Sequence, residues 1–173
     1  MRLFFSLPLP PEPQDRLRTW MGAQGLLRGG HPPQLHLTVA FLGEVAPEPA
    51  RAAIRCGAEV ASRHGPFALS TGGVNAFPRS HGAQVVFLEV APSGLLRALS
   101  EDLRGTLAAA GVPVDPKPFR PHLTLARLKA RMPPLGAPPP ETWTVDRLHL
   151  VESLVTGDGA RHESRFDWVL ARA

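Results

Sequence analysis

Hydrophobic residues recur at helical spacing in three stretches of the chain. Each stripe would give an amphipathic helix one buried face, which is how a surface helix packs onto a core. The stripes consist of Leu17, Trp20 and Met21; of Ala50, Ala53, Ile54, Gly57, Val60 and Ala61; and of Leu95, Leu96, Leu99, Leu103, Leu107 and Ala110. Gly65 with Pro66, and Gly111 with Pro113, predict the ends of the second and third helices.

Between the helical stripes the chain is rich in β-branched and aromatic residues, and in places polar and apolar positions alternate. This pattern predicts strands. The predicted strands are residues 2–7, 35–42, 67–74, 84–90, 121–127, 143–150 and 163–170. Turns or loops are predicted at 29–33, at the proline-rich segment 131–141 and at 156–159.

The order of these elements repeats. A strand, a helix and a proline-containing loop precede residues 35–42, and the same three elements precede residues 121–127. Both of these later strands carry His-Leu-Thr followed by an aliphatic residue. The pattern therefore predicts an internal duplication. Because strands and helices interleave, we expect an α+β or mixed α/β fold built as two similar lobes.

The length of the chain, 173 residues, is enough for one ordinary domain and short for two. We therefore expect one two-lobed domain over residues 1–173. With 43% hydrophobic and 20% charged residues, the composition is typical of a soluble globular protein. No apolar run approaches the roughly 20 residues of a membrane helix, so no membrane partner is expected. Cys56 is the only cysteine, which argues against a disulfide framework and favours the reducing cytoplasm.

The positive charge of the chain comes almost entirely from arginine. The formal net charge is +4, and Lys117 and Lys129 are the only lysines. Arginine is the better residue for bidentate contacts to phosphate, so this composition favours a polyanionic partner. An arginine-rich coding bias would give the same composition.

The repeated motif places polar side chains where they can act together. On a strand, residues two apart point to the same face, so His36 projects with Thr38 and His122 projects with Thr124. Threonine hydroxyls can donate to phosphate oxygens, while two histidines can divide the tasks of general base and general acid near neutral pH. The alternative is that both histidines are ordinary polar strand residues and the threonines serve β-propensity. That alternative explains one copy easily and the matched pair poorly.

These segments resemble the two-histidine phosphoesterase superfamily, whose mark is a duplicated His-x-Thr-x motif with hydrophobic x. Residues 36–44 and 119–127 resemble the bacterial and archaeal RNA 2′,3′-cyclic phosphodiesterases, historically called 2′-5′ RNA ligases. Residues 2–4, 73–78 and 145–148 agree as well. The resemblance covers almost the whole chain.

The resemblance implies an α+β, bilobal, duplicated fold, in which two mainly antiparallel sheets line a central cleft and helices lie outside. It also implies hydrolysis of RNA 2′,3′-cyclic phosphodiester ends to 2′-phosphomonoesters, with no metal and no cofactor. His36 would donate a proton to the departing 3′ oxygen, and His122 would accept one from the attacking water. Thr38 and Thr124 would hold the phosphate.

Three further residues are expected to contact the substrate. Arg120 or Arg127 would stabilise the negative charge that grows during the reaction. Phe119, next to Arg120, is the aromatic residue we expect to stack on a base. The implied partner is RNA with a 2′,3′-cyclic phosphate end, and a monomer is expected.

The other histidines show no metal-ligand spacing, and we predict them to be surface or loop residues. They are His31, His64, His81, His149 and His162. The chain has no tyrosine, whereas relatives often carry one near the C-terminal strand where His162 stands. The resemblance also implies a helix where residues 131–140 are proline-rich.

Two other functions stay open on the sequence alone. The same site run in reverse would join RNA ends as a 2′-5′ ligase, although abundant water favours net hydrolysis. A noncatalytic RNA-binding module would keep the fold without the reaction. In that last case His36 and His122 would be dispensable.

Overall fold

The computed structural model describes residues 1–27 and 34–171, so the turn predicted at 29–33 and His31 lie outside the described residues. The helices are α1 (Pro11–Ala23), α2 (Pro47–Arg63) and α3 (Gly94–Ala109). The strands are β1 (Arg2–Pro8), β2 (His36–Glu44), β3 (Phe67–Pro78), β4 (Gln84–Val90), β5 (His122–Leu128), β6 (Thr142–Val145), β7 (Arg147–Thr156) and β8 (Gly159–Val169). None of these three helices has the length and hydrophobicity needed to span a membrane.

The strands form two four-stranded sheets in which every neighbouring pair is antiparallel. Sheet one has the order β2-β1-β7-β8, and sheet two has the order β5-β4-β3-β6. This confirms the predicted α+β fold with two mainly antiparallel sheets. The duplication is visible as two strand-helix-strand units, β1-α1-β2 and β4-α3-β5, each of which ends in a His-Leu-Thr strand at a sheet edge.

The duplication does not divide the molecule into an N-terminal and a C-terminal sheet. Sheet one combines β1 and β2, from the beginning of the described chain, with β7 and β8, from its end. Sheet two is built from the strands between them, including β3, which follows α2. The four strands of sheet two therefore lie in sequence between the first two and the last two strands of sheet one.

The predicted single strand over residues 143–150 is wrong, because the chain changes sheet at Asp146. Strand β6 pairs with β3 in sheet two, whereas β7 pairs with β1 and β8 in sheet one. The Asp146 carbonyl accepts a hydrogen bond from the Leu170 amide at 2.8 Å. Buried apolar residues lie on both sides of the change, at Val145 and Leu148, so the hydrophobic pattern does not reveal it.

Other boundaries agree with the predictions or extend them. Strand β3 runs four residues beyond the predicted end, to Pro78, and β8 begins at Gly159. The turn predicted at 156–159 joins β7 to β8, with Thr156 paired to Gly159. Residues 131–141 form neither a helix nor a strand, as their prolines predict.

One hydrophobic core joins the two sheets and the helices. Phe4 and Phe5 are successive residues of β1 and therefore point to opposite faces of sheet one. The Phe5 ring packs beside Trp168 of β8, on the face that α2 covers. Helix α3 packs against α2 and β2, and the Ser100 hydroxyl donates to the Val39 carbonyl at 3.3 Å. The opposite face of sheet one carries Phe4 and forms part of the candidate site described below.

Gly57 lies at the contact between α2 and sheet one. A Cβ atom at this position would lie 2.5 Å from Trp168 ring carbons and 2.9 Å from the Phe5 ring. We predict that Gly57→Ala lowers the free energy of unfolding by about 1–3 kcal/mol, because overpacking forces neighbouring groups apart. Urea denaturation measures this change.

Gly105→Ala is the matched control for this substitution. Gly105 is in α3, and a Cβ there meets no heavy atom within 4 Å. Alanine should therefore raise the free energy of unfolding by about 0.5–1 kcal/mol through its better helix propensity. Equal responses at the two glycines would contradict the close packing of α2 on sheet one.

Candidate active site

Strands β2 and β5 belong to different sheets and contact each other. Leu37 and Val39 of β2 are buried, and Leu123 and Leu125 of β5 are buried in the same way. The intervening positions, His36 with Thr38 and His122 with Thr124, are only partly buried. Each strand therefore anchors one face in the core and presents an imidazole and a hydroxyl on the other.

Both imidazoles are held by the same local hydrogen bond. His36 Nδ1 lies 2.9 Å from the Gln34 carbonyl oxygen, and His122 Nδ1 lies 2.6 Å from the Arg120 carbonyl oxygen. A carbonyl only accepts, so Nδ1 must carry the proton in both rings. In the neutral state Nε2 then has a free lone pair, and in the charged state it carries a proton that it can donate.

Aromatic rings flank both imidazoles. The Phe4 ring stacks on His36, with centroids 5.3 Å apart. Phe77 and Phe87 contact His122 edge-on at 5.3 and 5.4 Å. These contacts limit rotation of the histidine rings and remove much of their hydration.

The removal of water lowers the pKa of both histidines below the ordinary value of 6.5. Burial is the main cause in each case, and the hydrogen bond to the backbone carbonyl opposes it. The positive charges of His162 and His122 lower the pKa of His36 further. The charges of Arg120 and Arg127 do the same for His122. The influence of His122 on the pKa of His36 indicates that the two imidazoles are close enough to interact electrostatically.

Two histidines predicted to be ordinary surface or loop residues lie at this site. His162 of β8 contacts the His36 ring edge-on at 5.3 Å and the Phe4 ring at 5.1 Å. His149 of β7 lines a cavity of about 100 Å³ together with His36 and His162. The sequence spacing of these two histidines did not indicate a site, because β7 and β8 reach it only through pairing within sheet one. The one indication in the sequence is that His162 and Ser164 are two residues apart, which predicts that their side chains share one face of a strand.

The predicted substrate-contacting residues differ in their surroundings. The exposed Arg120 guanidinium lies over the Phe77 ring at 4.7 Å and the Phe87 ring at 5.2 Å. Arg127 is exposed, and its charge lowers the pKa of both His122 and His162. Phe119 is partly buried and packs against the hydrophobic core. Both arginines are thus close to His122, while much of the Phe119 ring is already used in packing.

The backbone just before His36 is clamped by a buried side chain that sequence reasoning missed. Gln14 of α1 donates from Nε2 to the Leu35 carbonyl at 3.1 Å and accepts from the Leu35 amide at 3.0 Å. In the second copy Pro121 takes the position of Leu35, and its ring restricts the backbone without a clamping side chain. Both copies therefore reach their histidine through a restrained residue, by different means.

The remaining histidines have other surroundings. His64 Nε2 lies 2.8 Å from Asp102 Oδ2 in the contact between α2 and α3, and His81 is exposed in a turn. Within residues 1–27 and 34–171, no three His, Cys, Asp or Glu side chains come together in an arrangement that would hold a metal ion. The groups gathered in the cleft are imidazoles, hydroxyls and guanidiniums, which suit acid-base chemistry on an anionic phosphate.

Comparisons with known proteins agree with this geometry. Residues 9–157 match the model of the 2′-5′ RNA ligase superfamily. The RNA 2′,3′-cyclic phosphodiesterase of Thermus thermophilus is 34% identical over 171 residues, covering 88% of this chain and 82% of that protein. The Escherichia coli K12 protein of the same name is 34% identical over 131 residues, covering 73% and 71%. The crystal structure of E. coli LigT complexed with 3′-AMP matches with a TM-score of 0.85 and 29% identity, covering 99% of this chain and 98% of that chain.

The contact between His162 and His36 predicts a change in titration. Replacing His162 with glutamine removes a positive charge that disfavours protonation of His36. We expect His162→Gln to raise the pKa of His36, measured by NMR titration of the imidazole Cε1 proton. His81→Asn, in an exposed turn with φ of 60° that asparagine tolerates, is the control and should leave it unchanged. A His36 pKa that falls or stays constant in His162→Gln would contradict the described contact.

Proposed function

The chain belongs to the 2′-5′ RNA ligase superfamily, and we propose that it hydrolyses RNA 2′,3′-cyclic phosphodiester ends to 2′-phosphomonoesters. The relatives named RNA 2′,3′-cyclic phosphodiesterase support this activity. The observation that carries the proposal is the matched pair of Nδ1 hydrogen bonds. They leave two equivalent Nε2 atoms, one on each contacting strand, free for proton transfer.

The proposed reaction uses one histidine on each side of the phosphorus. His122 Nε2 accepts a proton from water as the water oxygen bonds to phosphorus. The bond from phosphorus to the 3′ oxygen breaks, and His36 Nε2 donates a proton to that oxygen. The bond to the 2′ oxygen is kept, so the product carries a 2′-phosphate. Proton exchange with solvent then restores both imidazoles.

The different surroundings of the two histidines support this division of roles. The charges of Arg120 and Arg127 disfavour the protonated form of His122, which suits a general base. The cations that act on His36 are His162 and His122, which are themselves titratable. His36 can therefore take up a proton when its histidine neighbours are neutral, which suits a general acid.

The remaining predicted contacts fit around a phosphate held between these rings. Thr38 and Thr124 share a strand face with His36 and His122, and their hydroxyls would donate to nonbridging oxygens. Arg127, or Arg120, would stabilise the charge that grows on those oxygens. Phe119 stays a prediction as a stacking surface, with only part of its ring left unpacked.

The wider setting completes the proposal. RNA with a 2′,3′-cyclic phosphate end is the proposed partner, and residues 1–173 act as one two-lobed, monomeric phosphoesterase domain. Cys56 is free and buried, which suits the reducing cytoplasm. With an RNA 5′-hydroxyl in place of water, the same site would join RNA ends through a 2′-5′ linkage: His122 would accept the hydroxyl proton, the bond from phosphorus to the 3′ oxygen would break, and His36 would donate a proton to that oxygen.

Loss of either imidazole should remove the corresponding proton transfer. We expect His36→Ala and His122→Ala each to lower kcat by about 10²–10⁴-fold on an oligoribonucleotide with a cyclic phosphate end. Phosphorus NMR would identify the wild-type product as a 2′-phosphate. His81→Ala is the surface control, and EDTA should leave the wild-type rate unchanged.

Three outcomes would contradict the proposed mechanism. Full hydrolysis by either histidine variant would exclude its role in proton transfer. Loss of wild-type activity in EDTA would indicate a metal-dependent reaction. A 2′-5′ joined product as the main outcome with an added 5′-hydroxyl RNA would favour the ligase, and RNA binding without any turnover would favour the noncatalytic module.

The lowered pKa values also predict the pH dependence of kcat/KM. The rate falls as pH rises through the pKa of His36, because the acid loses its proton. It falls as pH decreases through the pKa of His122, because the base gains one. Since both pKa values lie below 6.5 in the free protein, both limbs of the bell should lie on the acid side of pH 6.5. A bell centred above pH 7 would contradict the burial of these rings.

A further inference from the structure

The pairing of β1 with β2 ends at the site. Pro8 and His36 form the last pair, and proline has no amide hydrogen to donate. Beyond this pair the chain continues through Leu9 on one side and Leu35 on the other, and both residues are almost completely buried. Buried backbone groups need hydrogen-bond partners. The partners of Leu9 and Leu35 must therefore come from outside the two strands.

A single side chain supplies these partners. Gln14, near the start of α1, is only 6% exposed. Its Nε2 donates to the Leu9 carbonyl at 3.3 Å and to the Leu35 carbonyl at 3.1 Å. Its Oε1 accepts from the Leu35 amide at 3.0 Å. The backbone thus engages both hydrogens of the Gln14 amide nitrogen and also its oxygen.

The bond to the Leu35 amide is connected to His36 through one peptide group. The Leu35 N–H and the Gln34 carbonyl belong to the same planar trans peptide bond, so they point in opposite directions. The N–H points to Gln14, and the carbonyl accepts from His36 Nδ1 at 2.9 Å. A rotation of this peptide group would break both hydrogen bonds, and each of them strengthens the other by polarising the group between them.

The proton transfer of His36 depends on that carbonyl. As the proposed acid, His36 has to release the proton of Nε2 and keep the proton of Nδ1. The Gln34 carbonyl enforces this choice, because it can only accept a hydrogen bond and Nδ1 must donate to it. A general base at this position would also need its lone pair on Nε2. The requirement is therefore the same whichever histidine is the acid.

His122 has no comparable connection. Its Nδ1 lies 2.6 Å from the Arg120 carbonyl, and the peptide bond of that carbonyl continues into the nitrogen of Pro121. A proline nitrogen carries no hydrogen, so no side chain can accept a hydrogen bond from this peptide group. An effect transmitted by Gln14 should therefore reach His36 alone, and His122 serves as an internal reference.

We propose that Gln14 is a positioning residue for His36, which acts through the peptide group between Gln34 and Leu35 to keep Nε2 as the reactive nitrogen. The proposal rests on the proposed function for the proton transfer that Nε2 performs. The tautomer of His36 is a property of the protein without substrate. Gln14 thus acts on the reaction while its own amide is bound entirely to the backbone.

The test records the nitrogen-15 chemical shifts of both imidazoles well above pH 6.5, where His36 and His122 are neutral. These shifts show which ring nitrogen carries the proton, and we expect Nδ1 in both histidines of the wild-type protein. In Gln14→Leu, His36 should become a mixture of the two tautomers while His122 stays unchanged.

The same variant should also lose activity on an oligoribonucleotide with a cyclic phosphate end. We expect Gln14→Leu to lower kcat by about 10–100-fold with little change in KM, because a small displacement of a group that transfers a proton has an effect of this size. If Gln14→Leu does not fold, Gln14→Asn decides. Its side chain stays polar but is one methylene shorter, so its oxygen does not reach the Leu35 amide, and His36 alone should change tautomer.

Two matched variants distinguish positioning from a general loosening of the cleft. Ser100→Ala removes another buried hydrogen bond to β2, the one to the Val39 carbonyl, and leaves the peptide group before His36 intact. It should keep the wild-type tautomers and kcat. Gln14→Glu keeps an oxygen that can accept from the Leu35 amide, so it should keep the wild-type tautomer and most of the rate.

Several outcomes would overturn the proposal. They are an unchanged His36 tautomer in Gln14→Leu or Gln14→Asn, a mixed tautomer with wild-type kcat, an equal change in His122, and the same change in Ser100→Ala. If the wild-type protein does not hydrolyse cyclic phosphate RNA, the proposed function fails. The nitrogen-15 shifts would still decide whether Gln14 positions His36, because they are measured without substrate.

Discussion

Strands β2 and β5 lie side by side as edge strands of separate sheets, and every other part of the site depends on that contact. Buried leucines on the core-facing side hold these strands in position. Hydrogen bonds from the second half of the chain add to this, such as the one that the Asp115 amide donates to the Phe41 carbonyl at 2.7 Å. A shift of one residue along either strand would turn its histidine and threonine into the core. The burial of Leu37 and Leu123 therefore also orients the reactive groups.

The two copies of the motif have the same backbone arrangement but different neighbouring side chains. In both, a carbonyl two residues earlier holds Nδ1 and leaves Nε2 free. The arginines lie beside one imidazole, while the other borders a cavity without permanently charged side chains. Side chains outside the motif therefore give the two histidines of a duplicated backbone different surroundings.

Local patterns in the sequence were sufficient for the three helices, most strands and the His-Leu-Thr pairs, whereas the α+β class with two antiparallel sheets was predicted from the family resemblance. They succeeded because apolar spacing and strand alternation are local consequences of burial. The change of sheet at Asp146 could not be predicted, since apolar residues continue on both sides of it. His149 and His162 were missed for a related reason, because only long-range pairing with β1 and β7 brings their strands to His36.

The wide separation in sequence of the strands of sheet one has a consequence for biosynthesis. While the chain emerges from a ribosome, β1 and β2 are made before the four strands of sheet two, and β7 and β8, which complete sheet one, are made after them. Sheet one, with His36, cannot be completed until nearly all of the described chain is available, whereas the strands of sheet two are already present. Such distant pairings slow folding, so the apolar surface of β1 and β2 stays exposed to aggregation until β7 and β8 are made.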